Sequence, residues 1–294
     1  MDALRIPAGA VVVGIDGSEH SSRALAWAAD QAEREQRPLM VLHALGAVDP
    51  YWMAQPLVDV HALKKSMVEG AEGLLASARD VALAEHPHLE VTTGWRSEDA
   101  RHLLIEASEH AGLVVVGSHG RGPVKRLLLG SVSVGLTRHA HCPVAVVRLG
   151  RGVPSGGGVL VGVDASDRSL PTLDQAFRLA ASRGAPLTVA HCFWAAGAGI
   201  DLPTREVSDK VHVEHRQIVA EMLSTFRARH PDVPVTVELA HGLADDVLLD
   251  LAHGKDVAVV GSRERSTLTD LLLGSVAATL VEHAPCTVVV VPRP

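Results

Sequence analysis

The chain has 294 residues, of which 47% are apolar and 21% charged, a composition that suits about two globular domains and excludes disordered and fibrous classes. A net charge of −7, with four Trp, three Phe and one Tyr, supplies neither a basic face for phosphate backbones or anionic membranes nor platforms for stacking nucleic-acid bases. Neither a nucleic acid nor a membrane is therefore an expected partner. No apolar run approaches the roughly 18 residues of a membrane span, and the N-terminus lacks a cleavage pattern, so a soluble protein is expected. Cys142, Cys192 and Cys286 have no CxxC spacing and fit a reducing cytoplasm, where they read as buried small side chains.

In chain order, β-branched runs alternate with helical spacing. Strands are expected at Ala10 to Ile15, Leu39 to His43, Leu89 to Thr93, Leu113 to Val116 and Val144 to Arg148. Helices are expected at Ser21 to Arg34, Leu57 to Glu85, Glu98 to His110 and Ser131 to His139. Continuous runs such as VVV and LVVV suit parallel strands buried on both faces, and the alternation predicts a doubly wound α/β sheet. The pattern then repeats. Val11 to Ser18 (VVVGIDGS) returns as Val159 to Ser166 (VLVGVDAS), and Pro38 to His43 as Pro186 to His191, both 148 residues on. Val115 to Ser118 returns as Val259 to Ser262 at an offset of 144, so repeat one carries an insertion, placed around Gly46 to Pro56 with Tyr51 and Trp52. The repeats meet in a Gly, Pro and Ser linker near Arg148 to Gly158, giving domains at 1–150 and 157–294.

One segment is suited to phosphate. After the strand at Leu113 come Gly117, Gly120 and Gly122, then a stretch holding Arg121, Lys125 and Arg126, then Gly130, Ser131, Val132 and Ser133 opening a helix. Glycines let backbone N–H groups approach an anion, and a helix N-terminus adds unpaired donors and a favourable dipole. Ser131 and Ser133 add hydroxyls. The same residues also read as a plain loop with Ser131 as N-cap, and spacing alone leaves both readings open. GxxxxGK[ST], GxGxxG and GxSxG are all absent.

The pattern G-x2-G-x9-G-[ST], met by Gly117, Gly120, Gly130 and Ser131, together with Asp16 closing the first strand and the terminal HAHCPVAVV, resembles the universal stress protein family over the whole chain. The resemblance implies two tandem Rossmann-like domains, each a five-stranded parallel sheet of order 3-2-1-4-5 with helices on both faces, of the ATP-binding subclass. It places Gly14 and Asp16 against ribose and adenine and Ala44 at the adenine edge. Gly117, Gly120, Gly130, Ser131, Val132 and Ser133 then hold the phosphates, with Mg²⁺ as the usual companion. In repeat two the matching positions are Gly162, Asp164, Cys192, Gly261, Gly274, Ser275 and Val276. That loop departs from the pattern: Glu264 and Ser266 replace glycines, and Ala277 replaces Ser133, which weakens an anion site. Pseudo-dimeric packing of the two repeats and a homodimer follow from the resemblance and from the apolar runs Val144 to Val147 and Val288 to Val291.

Other features read as structure. His139 and His283 suit helix C-termini better than a metal site, Trp27 and Trp95 suit packing, and Asp16 and Asp164 also fit helix capping. The expected function is a cytoplasmic, ATP-binding stress-response regulator acting with an unidentified protein partner. A slow ATPase or phosphotransferase, for which His119 is the one nearby base in repeat one, and a nucleotide-free interaction module are the alternatives.

Overall fold

The computed structural model describes residues 5–46, 59–120, 129–148, 157–193, 205–262 and 274–292. The insertion aromatics Tyr51 and Trp52, the cations Arg121, Lys125 and Arg126, the linker centre, and Glu264 and Ser266 lie outside the described residues. The chain divides into two units, Met1–Leu149 and Gly150–Pro294.

In the first unit β1 (Val11–Gly14), α1 (Glu19–Arg34), β2 (Leu39–Ala44), α2 (Val60–Glu85) and β3 (Val91–Arg96) are followed by α3 (Ala100–Ala107), β4 (Leu113–Gly117), α4 (Ser131–His139) and β5 (Val144–Val147). All neighbours are parallel, in the order β3-β2-β1-β4-β5. In β1, Val11, Val12 and Val13 are all 0% exposed, because side chains from both faces of a central parallel strand enter apolar layers. On α1 the buried stripe Ala24, Leu25, Ala28, Ala29 and Ala32 is nearly all alanine, which lets the helix axis approach the sheet closely. Each fully buried valine or leucine contributes about 1.5–3 kcal/mol relative to exposure.

The second unit repeats this plan with β6 (Val159–Val163), α5 (Leu170–Arg183), β7 (Leu187–Phe193), α6 (Arg205–Arg229), β8 (Val235–His241), α7 (Ala244–Leu251), β9 (Val257–Gly261), α8 (Ser275–His283) and β10 (Thr287–Val291). Its parallel pairings run β8-β7-β6-β9-β10. Register is repeated as well: Val11 pairs with Leu39 and Leu113, and Val159 pairs with Leu187 and Val257.

Most expected elements fall where the pattern put them, within a residue or two. The strand expected at Leu89 to Thr93 is displaced to β3: Leu89 closes a turn by donating its N–H to His86 O, and pairing with β2 starts at Val91 and runs to Arg96. Backbone pairing carries an edge strand past the point where its apolar pattern stops, because one of its faces meets water. Asp99 caps α3 through Arg101 N–H, so that helix begins two residues later than Glu98. Two capping assignments are corrected. The N-cap of α1 is Ser18, whose hydroxyl accepts from Ser21 N–H, and Asp16 acts one step back by holding Ser18. The N-cap of α4 is Gly130, so Ser131 is the first helical residue and supplies no cap.

Candidate functional site

The sheet order reverses between β1 and β4, and a crevice opens there at the carboxyl ends of the strands. Its first wall is the turn after β1. Gly14 leaves room for a leucine: a Cβ there would stand 2.7 Å from Leu104 Cδ1, which would have to move, and the matching Gly162 meets Leu248 Cδ1 at the same 2.7 Å. Two residues on, Asp16 Oδ1 accepts from Ser18 N–H at 2.9 Å and Ser18 Oγ–H at 2.6 Å, while Oδ2 lies 2.7 Å from where a Cβ of Gly120 would stand. The carboxylate thus bridges the first strand's turn and the glycine segment after β4.

The second wall comes from β2. His43 Nδ1 sits 2.7 Å from Ile15 O, tying the end of β2 to the end of β1 and setting Ala44 at the rim. The third is the glycine segment. A Cβ on Gly117 would meet His20 C, Cβ and O, all at 2.9 Å, so β4 runs directly against the start of α1. Gly130 differs: its nearest contacts would be ordinary at 3.5 Å and its φ is −74°, so the protein's own packing does not require glycine there. Its N–H donates to Ser118 O at 2.8 Å, which aims α4's first turn inward. Ser133 is 1% exposed, and its hydroxyl donates to Gly130 O at 2.8 Å, whereas Ser131 is exposed. Of the two serines expected to present hydroxyls, Ser131 is the solvent-facing one.

These walls enclose a cavity of about 370 Å³. All nine residues singled out in the first repeat line it: Gly14, Asp16, Ala44, Gly117, Gly120, Gly130, Ser131, Val132 and Ser133. Its lining combines apolar side chains, Ile15, Leu42, Leu103, Leu104 and Val116, with the glycines, His119 and the N-terminus of α4.

In the second unit the seven matching residues occupy equivalent secondary-structure positions. Gly162 is within β6 and Asp164 follows it, with Asp164 Oδ1 accepting from Ser166 N–H, Ser166 Oγ–H and Ser169 Oγ–H at 3.1, 2.7 and 2.6 Å. Cys192 is half-buried near the end of β7, and burial pushes its thiol pKa up. Gly261 ends β9, Gly274 is the N-cap of α8, and Ser275 and Val276 open that helix. Ala165 takes φ +58° where Gly17 takes +77°, so the repeated turn keeps a left-handed conformation after losing its glycine.

Two groupings of side chains were not expected from the sequence pattern, although single members of each stood out. His20 and His119 both rest on Ser118, with Nδ1–Oγ distances of 3.2 and 3.1 Å. In the second unit His191 Nδ1 lies 3.0 Å from Val163 O and its Nε2 2.8 Å from His215 Nδ1; Phe193 stacks on His215 at 4.5 Å and meets His241 edge-on at 6.0 Å. Only the repeated final histidine of PLMVLH and PLTVAH, His43 and His191, marked this position in advance. Among the described residues no cluster of three or more His, Cys, Asp or Glu is placed to hold a metal, and no helix is long and apolar enough to cross a membrane. His139 and His283 are the last residues of α4 and α8. Cys142 is buried and its thiol is pushed up to about 12 by desolvation.

Paired five-stranded doubly wound units, the first with a crevice at its switch point, define a tandem Rossmann-like α/β protein. The profile of the universal stress protein family matches residues 8–148 and again 158–292. A universal stress protein of Mycobacterium tuberculosis is 34% identical over 288 residues, spanning 95% of this chain and 96% of its own length. One from Mycolicibacterium smegmatis is 33% identical over 287 residues, spanning 96% of each. The crystal structure of a universal stress protein from Archaeoglobus fulgidus shares the fold at a TM-score of 0.69 and 23% identity, covering 97% of this chain and 98% of that one. The chain belongs to the universal stress protein family.

Proposed function

We propose that the first unit binds ATP in this cavity and that the protein is a nucleotide-dependent regulator in the stress response. The observation that carries this reading is the convergence of nine residues, taken from four separate stretches of sequence, on one cavity that combines apolar side chains with a helix N-terminus. A volume of about 370 Å³ lies within the range of small-molecule and cofactor sites. Ile15, Leu42, Leu103 and Leu104 offer the apolar faces a purine ring needs. The first turn of α4, which lines the cavity, offers unpaired N–H donors and the positive end of a helix dipole to the phosphates.

Mg²⁺ belongs to the same reading as a companion of the phosphates, whose oxygens together with water would supply the hard ligands it prefers. A cytoplasmic location, argued from the cysteine usage, and a protein partner that distinguishes occupied from empty protein belong to the same reading. The carried residues grip the ligand's ground state and transition state alike, which favours a held ligand over turnover. Mass spectrometry of nucleotide released by denaturing freshly purified protein tests the reading. ATP is the expected finding; ADP alone would point to a slow ATPase, and no nucleotide at any loading would point to an interaction module.

A further inference from the structure

His20 lies in the first turn of α1 and His119 in the glycine segment 99 residues later, yet both imidazoles converge on one hydroxyl. Ser118 Oγ stands 3.2 Å from His20 Nδ1 and 3.1 Å from His119 Nδ1, and the ring centroids are 5.0 Å apart. Ser118 is 2% exposed and held at both backbone ends, its N–H donating to Val147 O at 2.9 Å and its carbonyl accepting from Gly130 N–H at 2.8 Å. The backbone that carries this hydroxyl is therefore held in place.

A hydroxyl has one proton to donate, and these two nitrogens are its acceptors among the described residues. Whichever Nδ1 receives that proton is bare, and its imidazole is neutral. The other ring carries a hydrogen on its own Nδ1 and donates it to Oγ. With the bridge intact, at most one of the two rings is charged, and a second charge 5.0 Å away would be repelled as well.

The surroundings disfavour a charge on His20. From α1 and the turn before it, Asp16 and Glu19 favour a charge on His20 and Arg23 opposes it; burial and His119 outweigh the acids and lower the His20 pKa. From α4 the nearby polar groups are the uncharged Ser131 and Ser133; Arg148 follows β5, and Arg121, Lys125 and Arg126 lie outside the described residues. His119 lines the cavity, as do the glycines and the first residues of α4, and His20 does not.

We propose that His119 takes the pair's single proton when a polyphosphate enters the cavity and donates it from Nε2 to a phosphate oxygen, while Ser118 and a neutral His20 fix its ring. The proton comes from solvent, so nucleotide affinity is linked to proton uptake. The inference rests on the ATP reading of the cavity and adds to it the residue that senses the phosphate's charge. Neutral imidazole would offer that oxygen a weaker donor or, in the other tautomer, a bare nitrogen.

The test is calorimetric titration of the full chain with ATP at pH 6 to 8.5, in buffers of different ionisation enthalpy, for the wild type, His119→Gln and His20→Gln. Phosphate monoesters ionise near pH 6, so the quantity read is the difference between wild type and variant. The wild type should take up a sizeable fraction of one proton per ATP beyond His119→Gln around pH 7.5, and lose affinity up to tenfold more steeply per pH unit. His20→Gln should keep the uptake with a shifted midpoint. Adenosine should show no such difference.

Histidine nitrogen chemical shifts give an independent readout in the free protein: opposite tautomers at His20 and His119 are expected at pH 8. Matching tautomers, or identical proton uptake in wild type and His119→Gln, would overturn the inference while leaving ATP binding in place. Absence of ATP binding by the wild type at every pH would instead overturn the reading on which it rests.

Discussion

Gly117 and Gly130 belong to one glycine pattern, but the structure assigns them different duties, and alanine substitution separates them. A Cβ on Gly117 would stand 2.9 Å from three atoms of His20, two of them backbone, so β4 or the start of α1 must shift. Forcing a methyl group into such a contact costs about 1–3 kcal/mol. For a unit of this size that lowers Tm by about 2–4 °C per kcal/mol, a drop of roughly 2–12 °C. At Gly130 the new Cβ would meet nothing closer than 3.5 Å, and φ of −74° is open to any residue. There Gly→Ala narrows the unfolded ensemble, a gain of about 0.4–1 kcal/mol that alanine's poorer fit at an N-cap offsets, so little net change in stability is expected. Urea unfolding followed by far-ultraviolet circular dichroism, without added nucleotide, measures both. Equal destabilisation by the two variants, or a neutral Gly117→Ala, would refute the view that β4 is pressed against α1 while the α4 N-cap is open. In the ATP reading, Gly130→Ala should still weaken ATP binding, because the loss of close backbone approach is felt by the ligand alone.

Three further outcomes follow from other parts of the molecule. Ala165 pays for its positive φ of 58°, so Ala165→Gly should raise the stability of the second unit by up to about 1 kcal/mol, and Gly17→Ala should lower that of the first by a similar amount, both read by urea unfolding. Asp99→Ala removes the α3 cap and should cost about 1 kcal/mol at pH 7. The Arg101 guanidinium hydrogen-bonded to the Asp99 carboxyl holds its pKa down at about 2, so the contribution is full above the usual 3.8 and fades as pH falls through about 2; a wild-type-minus-variant difference that grew on acidification would contradict this. Alkylation at pH 8 should label the half-buried Cys192 first, with Cys142 and Cys286 reacting after unfolding, and peptide mapping that found Cys142 modified first would contradict its burial.

The duplicated strand-and-helix alternation was legible because central parallel strands are continuous apolar runs, and because the repeat supplied each element twice. The glycine pattern was legible because Gly117 answers to a backbone contact and Gly120 to the Asp16 carboxylate, constraints that leave residue types behind them. The end of β3 was not legible: Gly94, Trp95 and Arg96, beyond the expected end at Thr93, pair with β2 through backbone atoms, which any side chain permits. Nor was the histidine pair. His20, Ser118 and His119 are joined only when β4 passes the first turn of α1, and a separation of 98 residues between His20 and Ser118 carries no periodicity to mark it. Capping was half legible, since Asp16 was recognised as a turn residue but its work passes through Ser18.

The central claim is that the first unit's glycine-lined cavity holds ATP, and the most direct test is calorimetric titration of the full chain with Mg-ATP, wild type beside Gly120→Glu. The substitution sets a carboxylate into the glycine segment proposed for the phosphates, where a Cβ already meets Asp16 Oδ2 at 2.7 Å. Saturable binding by the wild type, weakened at least tenfold in the variant, or about 1.4 kcal/mol, is the predicted result. Equal affinity in the two proteins, or no binding by the wild type, would contradict it.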